Sequence, residues 1–152
     1  MLPIKSILCP TDFSEPSYEA LGAACELAEH FGSDLTILHV VAPIPKVASN
    51  IGPSAFNLNT YQYELENDAK KTLDSIIAER VPKNITAHPR IAHGNAAERI
   101  LQYTKKDDKV DLIVIASHGR TGWRDVVFGS VAERVVRLCS VPVLTISGRE
   151  KG

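Results

Sequence analysis

The sequence lacks most of the features that mark a specialised chain. It has only three cysteines in 152 residues, Cys9, Cys25 and Cys139. They are widely separated with no CxxC spacing, which excludes a disulfide framework and a thiolate metal site and leaves reduced, buried thiols as the expectation. No charge of one sign dominates either. Seventeen Lys and Arg stand against 18 Asp and Glu, for a formal charge of -1 and a sequence pI near 6.5. That balance removes the broad field needed for non-specific binding to nucleic acid or an anionic membrane, so neither is expected as a partner. The longest strongly apolar run, Leu112 to Ala116, falls far short of the roughly 20 residues that cross a bilayer. The opening Met1-Leu2-Pro3-Ile4-Lys5 has no apolar signal segment, and a cytoplasmic location is expected.

What is present suits a single globular domain. Hydrophobic residues make up 44% and charged residues 23%. A chain of this length buries roughly 70% of its unfolded surface and needs no staple. One domain is expected over residues 1–147, with a polar C-terminal tail over 148–152. Hydrophobic periodicity then alternates short β-rich runs with longer helical ones. Ile4 to Cys9 reads as a strand. Pro16 to Phe31 reads as a helix, with Ala20, Leu21, Ala24, Leu27 and Ala28 at helical spacing and Gly32 just past its end. Asp34 to Val41 is a second strand. The stretch 42–60, with three prolines and a glycine, reads as an irregular, mobile loop.

Tyr61 to Arg80 is helical and stops before Pro82. Asn84 to Ala92 reads as a strand that Pro89 would place best on a sheet edge. Asn95-Ala96-Ala97-Glu98 opens a helix to about Lys105, in which Asn95 is the cap. Val110 to Ala116 is apolar nearly throughout, as a central parallel strand covered on both faces would be. Ser130 to Leu138 gives a last helix and Val141 to Ile146 a last strand. Strict alternation of this kind implies an α/β fold, a single Rossmann-like domain with a five-stranded parallel sheet and helices on both faces. The expected strand order is 3-2-1-4-5, which reverses between strands one and four.

Ligands of such sheets bind beyond the carboxyl ends of the strands at that reversal. The loops leaving strands one and four are Pro10-Thr11-Asp12-Phe13-Ser14 and Ser117-His118-Gly119-Arg120-Thr121-Gly122. In the second, Gly119 and Gly122 allow close backbone approach and Arg120 adds charge. Gly129-Ser130 opens the final helix, whose first amides favour an anion. Together these read as a phosphate cradle, although Ser130-Val131-Ala132-Glu133 reads equally as a capping box with Ser130 as the cap. Asp12 could accept hydrogen bonds from a ribose or base and Thr11 could add a polar contact, yet Thr-Asp after a strand is also a common turn or Asx cap. His118 is either a site residue or a solvated loop imidazole, and no second histidine stands at a metal-ligand spacing from it. His39 is expected to hydrogen-bond within the core. Trp123 is an exposed contact or a lid over the crevice.

The residues Ile7-Leu8-Cys9-Pro10-Thr11-Asp12-Phe13-Ser14, Leu38-His39-Val40, Ser117 to Gly122, Gly129 to Val135 and Val141-Pro142-Val143-Leu144 together resemble the universal stress protein family over nearly the whole chain. Nucleotide-binding members of that family share a G-x2-G-x9-G-[ST] pattern. Here Gly119, Gly129 and Ser130 match it and Ala116 takes the first glycine position. The resemblance implies that Thr11 and Asp12 meet the adenosine of ATP and that Val40 packs on the adenine. It places Gly119, Arg120, Gly129, Ser130 and Val131 around the ribose and phosphates, with Mg2+ as a possible companion, and Pro10, Ala116 and His118 complete the set of candidate nucleotide-binding residues. It further implies a homodimer through Val141 to Ile146.

Three functions compete. One is an ATP-binding regulatory or stress-response protein with little intrinsic catalysis. Another is a slow Mg2+-dependent ATP hydrolase on the same fold. The last is a dimeric interaction module that holds no nucleotide. The absence of a P-loop GxxxxGK[ST], of paired carboxylates in the crevice loops and of a nucleophile elbow favours the first.

Overall fold

Each of the five β-rich runs becomes a strand of one parallel sheet in the computed structural model, which describes residues 1–44, 58–106, 109–119 and 128–148. The elements follow as β1 (Ser6–Thr11), α1 (Glu15–Phe31), β2 (Asp34–Val41), α2 (Leu58–Arg80), β3 (Ala87–His93), α3 (Ala96–Lys105), β4 (Leu112–Ala116), α4 (Ser130–Leu138) and β5 (Val143–Ile146). The sheet order is β3-β2-β1-β4-β5, as the alternation predicts.

Side chains alternate across the sheet and build two cores. Ile7 and Cys9 of β1, Leu35 and Ile37 of β2, and Leu112, Val114 and Ala116 of β4 pack with α1 and α2. Leu8, Leu38, Ile113 and Ile115 point to the other face and pack with Ala97 and Ile100 of α3 and Ala132 and Val135 of α4. This is the period-2 geometry of a strand buried on both faces. Pro89 lies in β3 at the sheet edge, where a missing amide is tolerated. Gly32 closes α1 in a left-handed conformation, φ 66, with its N–H donated to the Ala28 carbonyl. Asn95 caps α3 through its side-chain oxygen, which accepts the Glu98 N–H at 3.1 Å.

The element ends differ from the sequence expectation in a consistent way. β1 begins at Ser6 and runs to Thr11, two residues beyond the expected Ile4 to Cys9, because β2 begins at Asp34 and its register places Asp34 opposite Ser6. Ile4 is buried without joining the strand. β3 starts at Ala87, β4 at Leu112 and β5 at Val143, each later than expected, and α2 starts at Leu58 and absorbs the end of the expected 42–60 loop. Residues 45–57 of that loop lie outside the described residues. Cys9 and Cys25 are buried as expected, whereas Cys139 is only half-buried at the end of α4.

At the amino end of the sheet the Asp111 carboxylate accepts the amides of Lys5 and Ser6, at 2.8 and 3.0 Å, tying β4 to β1. The paired positions between these strands are Ile7 with Leu112 and Leu8 with Ile113. Beyond them β1 stays paired with β2 as far as Thr11 and His39, and β4 with β5 as far as Ala116 and Ile146. The reversal in strand order is therefore also a parting of the central strands.

Candidate functional site

The carboxyl end of β1 leads into a tight strap. Asp12 Oδ1 accepts the Ser14 N–H at 3.1 Å and a short hydrogen bond from the Ser14 hydroxyl. The turn reading of Thr-Asp is thus realised, and Ser14 is also the N-cap of α1. The Ser17 hydroxyl donates to the Ser14 carbonyl at 2.7 Å, which uses its one proton. Thr11 Oγ1, 2.9 Å from Ser17 Oγ, must then be the donor in that pair, and it also accepts the Phe13 N–H at 3.1 Å. The Thr11 hydroxyl is committed to the strap, so Thr11 can offer a ligand only its backbone and an acceptor lone pair. His39, half-buried on β2, lies with Nδ1 2.9 Å from the Thr11 carbonyl, as a core hydrogen bond requires.

The end of β4 is organised by main chain instead. Ser117, 3% exposed, donates its N–H to the Ile146 carbonyl and accepts the Gly129 N–H at 2.6 Å. That second bond draws the start of α4 against the end of β4. A Cβ on Gly129 would stand 3.3 Å from the Ser117 carbonyl oxygen and 3.6 Å from His118 Cα. A Cβ on Gly119 would stand 2.5 Å from Asp12 Oδ2. The two glycines thus let three segments meet at van der Waals distance. His118 Nδ1 lies 2.9 Å from Ser117 Oγ.

The N-cap of α4 is Gly129, not Ser130, and among the described residues no side chain makes a cap bond at its start. The capping-box reading of Ser130 to Glu133 is therefore corrected. The Ser117–Gly129 main-chain bond fixes the helix start one residue earlier and leaves Ser130 in the first turn. The leading amides of such a helix have no acceptor within it and carry the positive end of its dipole.

Between these segments lies a cleft of about 260 Å3 on the α3–α4 side of the sheet. Pro10, Thr11, Asp12, Val40, Ala116, His118, Gly119, Gly129, Ser130 and Val131, all nominated from the sequence, line it. Arg120 lies outside the described residues, as do Thr121, Gly122 and Trp123. Ala116 packs in the α1-side core together with Val114 and Leu112, so alternation directs its methyl away from the cleft. Sequence reasoning missed the apolar wall of Leu38, Ile115 and Ile100, and the polar Ser117. The wall was signalled by the side chains that alternate with the α1-side core positions.

Asp12 is the one carboxylate lining this cleft among the described residues. No group of three His, Cys, Asp or Glu side chains among the described residues could hold a metal ion. Burial, with Glu29 and Glu26 adding to it, pushes the Cys25 thiol up to about 11. Burial and then Cys25 raise Cys9 further still. Both thiols sit in the α1-side core as inert apolar groups. A second cavity, about 520 Å3, lies between the end of β2 and the start of α2, lined by Val41, Leu58, Gln62 and His93 among others. It takes no residue from the β1 or β4 loops, so the glycine-assisted convergence belongs to the smaller cleft. No described helix is long and apolar enough to cross a membrane.

Comparison with known proteins agrees with this fold. Residues 3–147 match the model of the universal stress protein family. Universal stress protein YxiE of Bacillus subtilis is 31% identical over 146 residues, covering 93% of this chain and 98% of that one. The solved structure of MJ0577 from Methanocaldococcus jannaschii superimposes with a TM-score of 0.81 at 27% identity, over 97% of this chain and 99% of the other. A universal stress protein from Archaeoglobus fulgidus, solved in complex with dAMP, has a TM-score of 0.60 at 19% identity over 96% and 99% of the two chains, and shares the fold.

Proposed function

We propose that this chain, which belongs to the universal stress protein family, binds an adenine nucleotide, ATP first among them, in the cleft between β1 and β4. The nucleotide acts as a regulatory ligand in a cytoplasmic stress response. The observation that carries this reading is the meeting of Asp12, Gly119 and the uncapped start of α4 at Gly129-Ser130 around one cleft with an apolar wall. An uncapped helix start with glycine beside it suits a phosphate. Leu38, Val40 and Ile115 suit the flat face of a base, and Asp12 suits a hydroxyl or amino donor. The dAMP complex of the Archaeoglobus fulgidus relative supports an adenine ligand. Ala116 is compatible, because its methyl belongs to the core.

Mg2+ bound to the nucleotide phosphates would find Asp12 as its single protein carboxylate in this cleft. Hydrolysis needs a group that orients water, and neither Pro10 to Ser14 nor Ser117 to Gly122 contains a second acidic residue or a glutamine. Turnover is accordingly slow, and bound ATP stabilises the fold by mass action. The experiment is mass identification of nucleotide released on denaturation, followed by calorimetric titration of the stripped protein with ATP. Absence of both nucleotide and heat overturns the reading and leaves the interaction module. Steady-state phosphate release at about one per second or faster, lost in Asp12→Ala, would make the chain an enzyme.

The β5 edge favours a homodimer. β5 ends the sheet, and its Leu144 is 40% exposed. An apolar edge strand is a template for another strand, and antiparallel pairing of two copies would cover it. Pro142 has no amide to donate, so the pairing centres on Val143 to Thr145 within Val141 to Ile146. Sedimentation showing a monomer at micromolar concentration would refute this arrangement.

A further inference from the structure

We infer that Phe13, which does not line the cleft, is a positioning residue for Asp12; its effect on affinity rests on the nucleotide reading above. Phe13 is the one non-glycine residue with a positive φ among the described residues, at φ 63. An L residue enters this left-handed region at a cost that glycine does not bear, so something must hold it there. The holding contact is its ring. Phe13 stacks on His39 with centroids 4.1 Å apart and planes 17° from parallel. It also packs against the α1-side core.

His39 is a fixed surface for that stack. Its Nδ1 lies 2.9 Å from the Thr11 carbonyl, and a carbonyl only accepts, so Nδ1 carries the proton and ties the ring to the last residue of β1. The Phe13 N–H is in turn donated to Thr11 Oγ1 at 3.1 Å. With both ends of Phe13 held, the chain reverses between Asp12 and Ser14. The reversal brings the Ser14 N–H and hydroxyl onto Asp12 Oδ1 and leaves Oδ2 against Gly119 at the margin of the cleft. A residue free to leave the left-handed region would release this geometry, and the Asp12 carboxylate would rotate away from Gly119.

The discriminating variant is Phe13→Gly, which tolerates the same φ but has no ring to hold it. Phe13→Tyr keeps the stack and serves as the conservative rescue. The first readout needs no nucleotide and follows the Asp12 side-chain carboxyl by carbon-detected NMR at one fixed pH. In Phe13→Gly the resonance moves, and in Phe13→Tyr it matches wild type. The second readout is ATP affinity, which falls roughly tenfold in Phe13→Gly and recovers in Phe13→Tyr. In an Asp12→Asn background Phe13→Gly has no further effect on affinity, because the two changes act on one interaction.

An unmoved Asp12 resonance in Phe13→Gly overturns the positioning role, whatever the affinity. Loss of affinity that adds fully to that of Asp12→Asn overturns it as well. If wild type binds no ATP, the nucleotide reading fails while the NMR comparison still decides the role of Phe13. Should Phe13→Gly fail to fold, Phe13→Leu keeps the apolar bulk without the stack and is read against the same two outcomes.

Discussion

The two loops that meet at the cleft are built on opposite plans. After β1, side chains bond to one another: the hydroxyls of Thr11, Ser14 and Ser17 each donate to a protein acceptor, and Asp12 is drawn into the same strap. After β4, the joint is main chain, with the Ser117 carbonyl holding the Gly129 amide and, among the described residues, no side chain capping α4. A segment whose donors are satisfied internally supplies shape, and a segment with backbone donors at a helix start supplies affinity for an anion. The cleft pairs one of each. Removal of the strap hydroxyls of Thr11, Ser14 or Ser17 should therefore register mainly in stability, and substitutions on the second side mainly in binding.

The largest effect is expected at Gly129. A Cβ there would stand 3.3 Å from the Ser117 carbonyl oxygen, tighter than ordinary contact, and the β-branched side chain of Gly129→Val adds bulk, so α4 should shift against the end of β4. ATP affinity measured by calorimetry should fall at least a hundredfold, about 2.7 kcal/mol. Next comes Thr11→Val, of nearly the same shape but without the hydroxyl. It strands the Phe13 N–H and removes the partner of the Ser17 hydroxyl oxygen, which should cost about 1–3 kcal/mol in urea unfolding. Affinity should change by severalfold at most. The reverse pattern would show that Thr11 is a ligand contact and would dissolve the contrast between the loops.

The core thiols give a pH dependence with a definite sign. Cys25 has an ordinary value of 9.0 and is held at about 11 in the fold, so the native state prefers the neutral thiol. Its contribution is fully present below pH 9 and is lost as pH rises from about 9 to about 11. Cys9 acts in the same direction. Unfolding midpoints should fall over that window, and Cys25→Ala should flatten part of the decline. The smallest effect is Ser130→Ala. Because Gly129 is the cap, stability should stay within about 0.5 kcal/mol of wild type, where loss of a capping serine costs about 1 kcal/mol. A severalfold weakening of ATP binding would then locate the Ser130 hydroxyl at the ligand.

Most of this architecture was legible in the sequence, because β-branched runs stopped by Gly and Pro define the strands and the alternation dictates their order. Strand ends were less legible. β1 is placed by its partner, and nothing within Ile4 to Thr11 says where β2 will start. The loops that line the cleft were picked out by topology, since the carboxyl ends of strands one and four must face the reversal, and by their glycines and polar residues. Two features of the site were hidden. Ser130 carries the pattern of a cap, but a main-chain bond from Ser117, distant in sequence, moves the cap to Gly129. Phe13 has no sequence mark of a left-handed residue, because the stack that holds it there depends on His39 from another strand.

The Asp111 clasp at the foot of β1 and β4 has a mechanical consequence. It binds the two central strands along a short spine, beyond which β3-β2-β1 and β4-β5 continue as separate leaves. The leaves stay joined by packing on the other side, where α1 lies across both, with Ile7 and Cys9 of one and Val114 and Ala116 of the other in a single core. Asp12 follows the margin of one leaf, and Gly119 and Gly129 follow the margin of the other. A molecule that touches both margins braces the parting on the side that α1 leaves uncovered.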